Sequence, residues 1–302
     1  MREVMKDNAG TPKAIDQLTV AELTTEKFDK EYRIPGKPLV VTDFLDSSVD
    51  WDLDFLCKNL GDGKFLVRDY GEGHFDAPRR EWTKYCDHVQ MTIHDFATHI
   101  RDGSAKKRNL YLAQNPIGET EALKSIAGEM QFLTQTLGFE PIIPEASLNL
   151  WLGAAGHAEP LHFDPGDGTL MMLHGKKRVI LYPPKQSSNL YPFGFYDVLP
   201  FWVSQVNIEE PDLKQYPNFN KTEQDRYEVV LSSGQVLFIP TQWWHEVIAE
   251  GEGYVCSCNH FWKVKPWWRK LQSLRGIVLF SMNLLPWNWV LRFNRFIYQF
   301  KK

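Results

Sequence analysis

The sequence predicts a mainly β fold with flanking helices, and three observations carry this. From about residue 147 to 262, apolar, β-branched and aromatic runs of strand length follow one another, cut by Gly and Pro, as in a β-sandwich or barrel. Aromatic residues make up 14% of the chain, with 11 Trp, which suits sheet cores and flat-walled pockets. Helical patterns fall outside that run, in the N-terminal part and after residue 263.

In chain order, "KPLVVTDFL" (37–45) follows a Pro-Gly turn and reads as a buried strand. "TIHDFATHIRDG" (92–103) reads as a short helix with Thr92 or His94 near its start and Gly103 past its end. "NLYLAQNP" (109–116) is a strand that stops at Pro116. "SLNLWLG" follows, and "TLMMLHGKKRVILYPP" reads as two strands joined at Gly175. Residues 205–221 form a long connection with Pro stops. "YEVVLSSGQVLFIP" and "WWHEVIAEGEGYVCSCNHFW" supply the last strands. The expected division is a mixed α/β flank over 1–108, a β core over 109–262 and a helical tail over 263–302. In the tail, one helix runs from Pro266 towards Pro286 and a second follows it. The sixteen uncharged residues between Arg275 and Arg292 fall short of a comfortable membrane span.

The formal net charge of −4 is unevenly spread. Residues 263–302 hold nine Lys or Arg and no Asp or Glu, leaving 25 basic against 38 acidic residues in the rest. An acidic body disfavours a broad phosphate-binding face there. The basic, Trp-rich tail fits three roles: a helical dimer interface, contact with an anionic membrane surface, or phosphate contacts. Cys57 and Cys86 are isolated, and Cys256 and Cys258 lack metal-knuckle or redox spacing. They read as small apolar residues. With no apolar run at the N-terminus, an intracellular, reducing compartment is expected.

The chemistry concentrates in "EPLHFDPGDGTL" (159–170). Residues two apart in a strand project to one face, so His162 and Asp164 can present a nitrogen and an oxygen to one point. A lone H-x-D is a weak signal and needs a third ligand from another strand. His245, after the strand "GQVLFIP", is the candidate. Two His and one carboxylate match the open facial arrangement of non-haem Fe(II) sites, with zinc as a competitor.

Five blocks, "NLWLGAAGHAEPLHFDP", "MMLHGKKRVILYPP", "QVNIEEPDLKQYPNF", "SGQVLFIPTQWWHEV" and "NHFWK", resemble in order the signature blocks of the JmjC-domain hydroxylases. The resemblance is to the small cupin-like branch that includes the asparaginyl hydroxylases of the hypoxia pathway and the tRNA wybutosine hydroxylase. It is dense over residues 109–263 and thin before them. It implies a double-stranded β-helix (jelly-roll) core, Fe(II), 2-oxoglutarate as co-substrate, and O2. It assigns His162, Asp164 and His245 to the metal and Lys177 to the distal carboxylate of 2-oxoglutarate. Tyr111 is assigned to the same carboxylate, and Asn259 to a place near co-substrate or metal. Phe163, Trp243 and Trp244 are expected as pocket walls. The implied activity is hydroxylation of a protein or peptide side chain. A tRNA base or small molecule is the alternative substrate, and a non-catalytic cupin-like metal-binding module the alternative class. The sequence departs from the family pattern twice: Glu159 stands where Thr or Ser is common, and Gly168 where Asn is common.

Overall fold

The computed structural model describes residues 11–46, 49–74, 86–118, 120–142, 148–194 and 202–283. Its strands are β1 (Asp16–Leu18), β2 (Leu39–Val41), β3 (Lys64–Asp69), β4 (Asp87–Thr92), β5 (Leu110–Pro116), β6 (Asn149–Ala154), β7 (Ala158–Phe163), β8 (Asp167–His174), β9 (Lys176–Tyr182), β10 (Tyr227–Ser232), β11 (Val236–Ile239), β12 (Trp244–Glu250) and β13 (Tyr254–Trp262). One sheet has the order β1-β2-β11-β8-β13-β6-β5-β3-β4, and the other β10-β9-β12-β7. From β6 to β13 the chain crosses between the two sheets at every step except β9 to β10, which pair with each other in the smaller sheet. This is the expected double-stranded β-helix. Strands from the N-terminal part extend the larger sheet at both edges, with β2 against β11 and β5 against β6.

Side-chain alternation sorts the three larger cores. In β8, Leu170 and Met172 face the space between the sheets, packed with Val179, Leu181, Leu237 and Trp243. Met171 and Leu173 of the same strand face the opposite way, under Leu56, Phe96 and other N-terminal side chains. A third cluster covers the outer face of the smaller sheet with Leu161, Phe163, Tyr182, Trp244 and Phe219. The sheets are thus buried on both faces, which is why β8 reads as a continuous apolar run. Cys256 and Cys258 are free thiols in the first cluster, as their apolar reading implied.

The local signals work as read. Thr92 caps the helix Ile93–Arg101 in a capping box with Asp95, and Ile93, Phe96 and Ala97 are its buried residues. Gly175, at φ +79°, makes the β8–β9 turn; a Cβ there would meet the Tyr254 carbonyl oxygen at 3.0 Å.

The tail departs from the sequence expectation. In place of one helix from Pro266, a 3-10 turn (Trp267–Leu271) and a helix (Leu274–Asn283) are separated at Gln272–Ser273. Ser273 accounts for the break: its hydroxyl accepts the Gly276 N–H at 3.0 Å and donates to the Gln242 side-chain oxygen at 2.5 Å. The second tail helix expected from the sequence lies outside the described residues. Arg269 is buried and forms a bidentate pair with Asp167, both contacts 2.9 Å, which ties the tail to the start of β8. Among the described residues no helix is long and apolar enough to cross a membrane.

Candidate functional site

β7 and β12 pair antiparallel with His162 directly opposite His245. Leu161 and Phe163 face outwards into the third cluster, so alternation turns His162 into the space between the sheets. Trp244 faces outwards on β12, and His245 inwards by the same rule. The imidazole centroids lie 4.3 Å apart. Asp164 sits just past the end of β7, where its carbonyl accepts the Gln242 N–H at 3.0 Å. Its carboxylate lies 3.5 Å from His245 Nε2. One donor atom from each of the three residues falls within 4.8 Å of the others. The strand register therefore brings together two histidines that the sequence separates by 83 positions.

The hydrogen bonds of the rings match a metal site. His162 Nδ1–H donates to the Pro160 carbonyl at 2.7 Å, and His245 Nδ1–H to the Trp243 carbonyl at 3.0 Å. Each bond places a proton on Nδ1 and leaves Nε2 as the ring nitrogen turned to a metal. Burial, with His162 adding, pushes His245 down to about 4, so it is neutral at physiological pH. Two imidazole nitrogens and one carboxylate, with no thiolate, suit a divalent first-row metal with open positions.

The three residues open on a cavity of about 930 Å3 that also takes in Tyr111, Glu159, Lys177 and Asn259. Lys177 is buried, and its Nζ donates to Ser257 Oγ at 2.6 Å. An ammonium carries three donors, so this contact leaves capacity for a ligand anion. Burial pulls Lys177 down to about 8. Tyr111 stacks on His157 at 3.6 Å and lies flat against Gly153, where an added Cβ would sit 2.5 Å from its ring. Glycine at 153 is what lets this tyrosine lie along the wall. Asn259 reaches the cavity with its side-chain oxygen already accepting the Trp151 indole N–H at 3.0 Å.

The expected wall residues Phe163, Trp243 and Trp244 do not line the cavity. Trp243 packs between the sheets, and Phe163 and Trp244 pack on the outer face. Tyr111, Trp151, Trp202 and Phe261 supply the aromatic wall. At Gly168 an added Cβ would meet nothing closer than 3.8 Å, so no steric need requires glycine there.

Glu159, the other departure, is resolved by a residue that sequence reading missed. Arg68 on β3 reaches across the cavity, 3.4 Å from the Glu159 carboxylate, and donates to the Tyr70 hydroxyl at 3.2 Å. His157 Nε2–H approaches the same carboxylate at 3.5 Å. Burial alone would raise Glu159, but the His157 hydrogen bond and the Arg68 charge outweigh it and bring the carboxyl down to about 2. Nothing in "KFLVRDY" marks Arg68 as a site residue beyond its being a charge in a strand.

The cupin-like domain profile matches residues 25–267. Lysine-specific demethylase 8 of Xenopus tropicalis is 29% identical over 248 residues, 80% of this chain and 50% of that protein. JmjC domain-containing protein D of Dictyostelium discoideum is 40% identical over 238 residues, covering 73% and 51%. Human HSPB1-associated protein 1 is 40% identical over 99 residues, covering 32% and 20%. The chain spans about half the length of the curated relatives that it matches along most of its own length. Their names differ from those of the hydroxylase branch that the sequence blocks resemble, while the domain type is the same. Fold and profile together show that the chain belongs to the cupin-like domain family, of the JmjC type.

Proposed function

We propose that this protein is an Fe(II)- and 2-oxoglutarate-dependent oxygenase acting on a protein or peptide side chain. One observation carries the reading: the His162–Asp164–His245 group and the buried Lys177 open on the same cavity. His162, Asp164 and His245 hold the metal, with the Pro160 and Trp243 carbonyls orienting the two rings. Lys177 binds the distal carboxylate of 2-oxoglutarate, with Tyr111 beside it. Asn259 holds Trp151 in the wall. Bound Fe(II) supplies the redox chemistry by which O2 and 2-oxoglutarate give succinate and CO2 as a substrate C–H bond is hydroxylated. The residues of the chain orient the co-substrate and keep bulk water from its buried end.

A peptide is favoured over a tRNA base because the acidic body opposes a polyanion. Two relatives in different organisms are named lysine-specific demethylases. Oxidative loss of an N-methyl group begins with hydroxylation of that methyl, so methyl-lysine peptides belong in the screen. The test is succinate release with Fe(II) and 2-oxoglutarate in the presence of peptide pools or tRNA. Release stimulated by a peptide is expected. No stimulation by any peptide, with stimulation by tRNA, overturns the substrate class. No co-substrate-dependent release at all leaves the non-catalytic metal-binding module.

Lys177 gives the co-substrate a pH dependence. The cationic form binds the carboxylate and is lost from the free pocket as pH rises through about 8. Affinity for 2-oxoglutarate is therefore expected to fall about tenfold per pH unit above that point. Lys177→Met removes both the affinity and the slope. Stability of the free protein moves the other way. Between about 8 and the ordinary 10.5, the unfolded chain holds a proton that the folded one has lost, so stability rises with pH across that window. Calorimetric titrations from pH 6.5 to 9.5 check the binding; a flat profile contradicts the role given to Lys177.

A further inference from the structure

Glu159 and Asp164 are the two carboxylates that line the cavity among the described residues, and Arg68 and Lys177 are the two permanent or near-permanent cations. Asp164 belongs with the two histidines. Glu159 is then the carboxylate on the cavity wall whose charge acts on Lys177, the cation a dicarboxylate needs. Were Glu159 free to turn, the pocket would hold one internal Lys–Glu pair and present no net charge to an anionic ligand.

The structure shows it turned elsewhere. Arg68 and His157 both engage its carboxylate, while Lys177 engages the neutral Ser257 hydroxyl. Arg68 is itself held from two sides. Its backbone pairs in register with Tyr111 between β3 and β5, and its guanidinium also donates to Tyr70. Tyr111 in turn stacks on His157. The counter-ion arrives from the N-terminal strand that extends the larger sheet, and Glu159 from the smaller sheet.

We infer that Arg68 is a positioning residue for co-substrate binding, an internal counter-ion that holds Glu159 away from Lys177. The inference rests on the oxygenase reading above and adds a residue to it. It explains how Glu159 can replace a neutral Thr or Ser in a pocket for a dianion. Arg68 acts through Glu159, so its effect must vanish when Glu159 is made neutral.

The test is calorimetric titration of 2-oxoglutarate into Mn(II)-loaded protein, which reads binding without turnover. Arg68→Gln is expected to weaken binding about tenfold or more, a loss of about 1.4 kcal/mol or more. Arg68→Lys, which keeps the cation, is expected to recover most of it. In the Glu159→Thr background, Arg68→Gln is expected to change affinity by less than about threefold. The double variant removes both charges of the pair and strands no carboxylate, so it stands if Arg68→Gln alone does not fold. An unchanged affinity in Arg68→Gln overturns the inference, and so does a tenfold loss in the Glu159→Thr background. If the wild type binds no 2-oxoglutarate with metal present, the proposed function falls and the inference with it. A wild type that binds while the Arg68 variants show either contrary result sinks the inference alone.

Discussion

Alanine at His162 or at Asp164 is expected to abolish 2-oxoglutarate turnover while the fold survives. Each removal leaves two donors where three converge within 4.8 Å. A metal held by three protein ligands with open positions has no fourth protein donor in reserve. Loss of a supporting hydrogen bond alone costs about 10- to 100-fold in metal affinity or activity, and loss of a ligand is expected to exceed that. The structural cost is small because both side chains are only half-buried and face the cavity. Roughly 1 kcal/mol or less is expected at such a position. Succinate release and metal affinity, measured beside thermal unfolding, check both halves. Full iron-dependent turnover in either variant would remove that residue from the site.

The second large effect is on stability. Arg269→Ala is expected to cost roughly 3–5 kcal/mol, because it strands a buried carboxylate. Asp167 is fully buried, and Arg269 supplies both of its charge-assisted contacts. Asp167 Oδ1 also accepts the Thr241 N–H at 2.8 Å. The pair thus ties together three pieces: the tail, the start of β8 three residues after Asp164, and the turn that leads to His245. The Gln242 side chain strengthens the same junction by donating to the Arg269 carbonyl at 3.1 Å. Weaker metal binding should accompany the lost stability. Adding Asp167→Asn to Arg269→Ala is expected to recover part of the loss by removing the stranded charge. Denaturant titrations of the single and double variants read this. A single variant within about 1 kcal/mol of wild type would show that the pair carries little of the fold's stability.

The strand runs were legible because apolar content, Gly and Pro punctuate them at sheet spacing. The convergence of His162, Asp164 and His245 was legible because strand periodicity turns His162 inwards and because His245 begins a strand after a Pro-terminated one. Which faces the aromatics take was not legible. Both faces of the smaller sheet are covered by apolar clusters, so Phe163 and Trp244 carry no sign of which side they serve. The charge pairs were hidden for another reason. Arg68 meets Glu159 across 91 positions and Arg269 meets Asp167 across 102, and each pair exists only once the sheets have closed. The break in the tail helix was hidden in Ser273, whose capping bond outcompetes helix continuation.

The central claim is that one cavity holds a metal on His162, Asp164 and His245 and a dicarboxylate on Lys177. Crystals grown without oxygen in the presence of Mn(II) and 2-oxoglutarate test it most directly. The expected structure has the metal on Nε2 of both histidines and on the Asp164 carboxylate, with the far carboxylate of the ligand on Lys177 Nζ. A metal bound elsewhere, or a co-substrate whose carboxylate avoids Lys177, would contradict it.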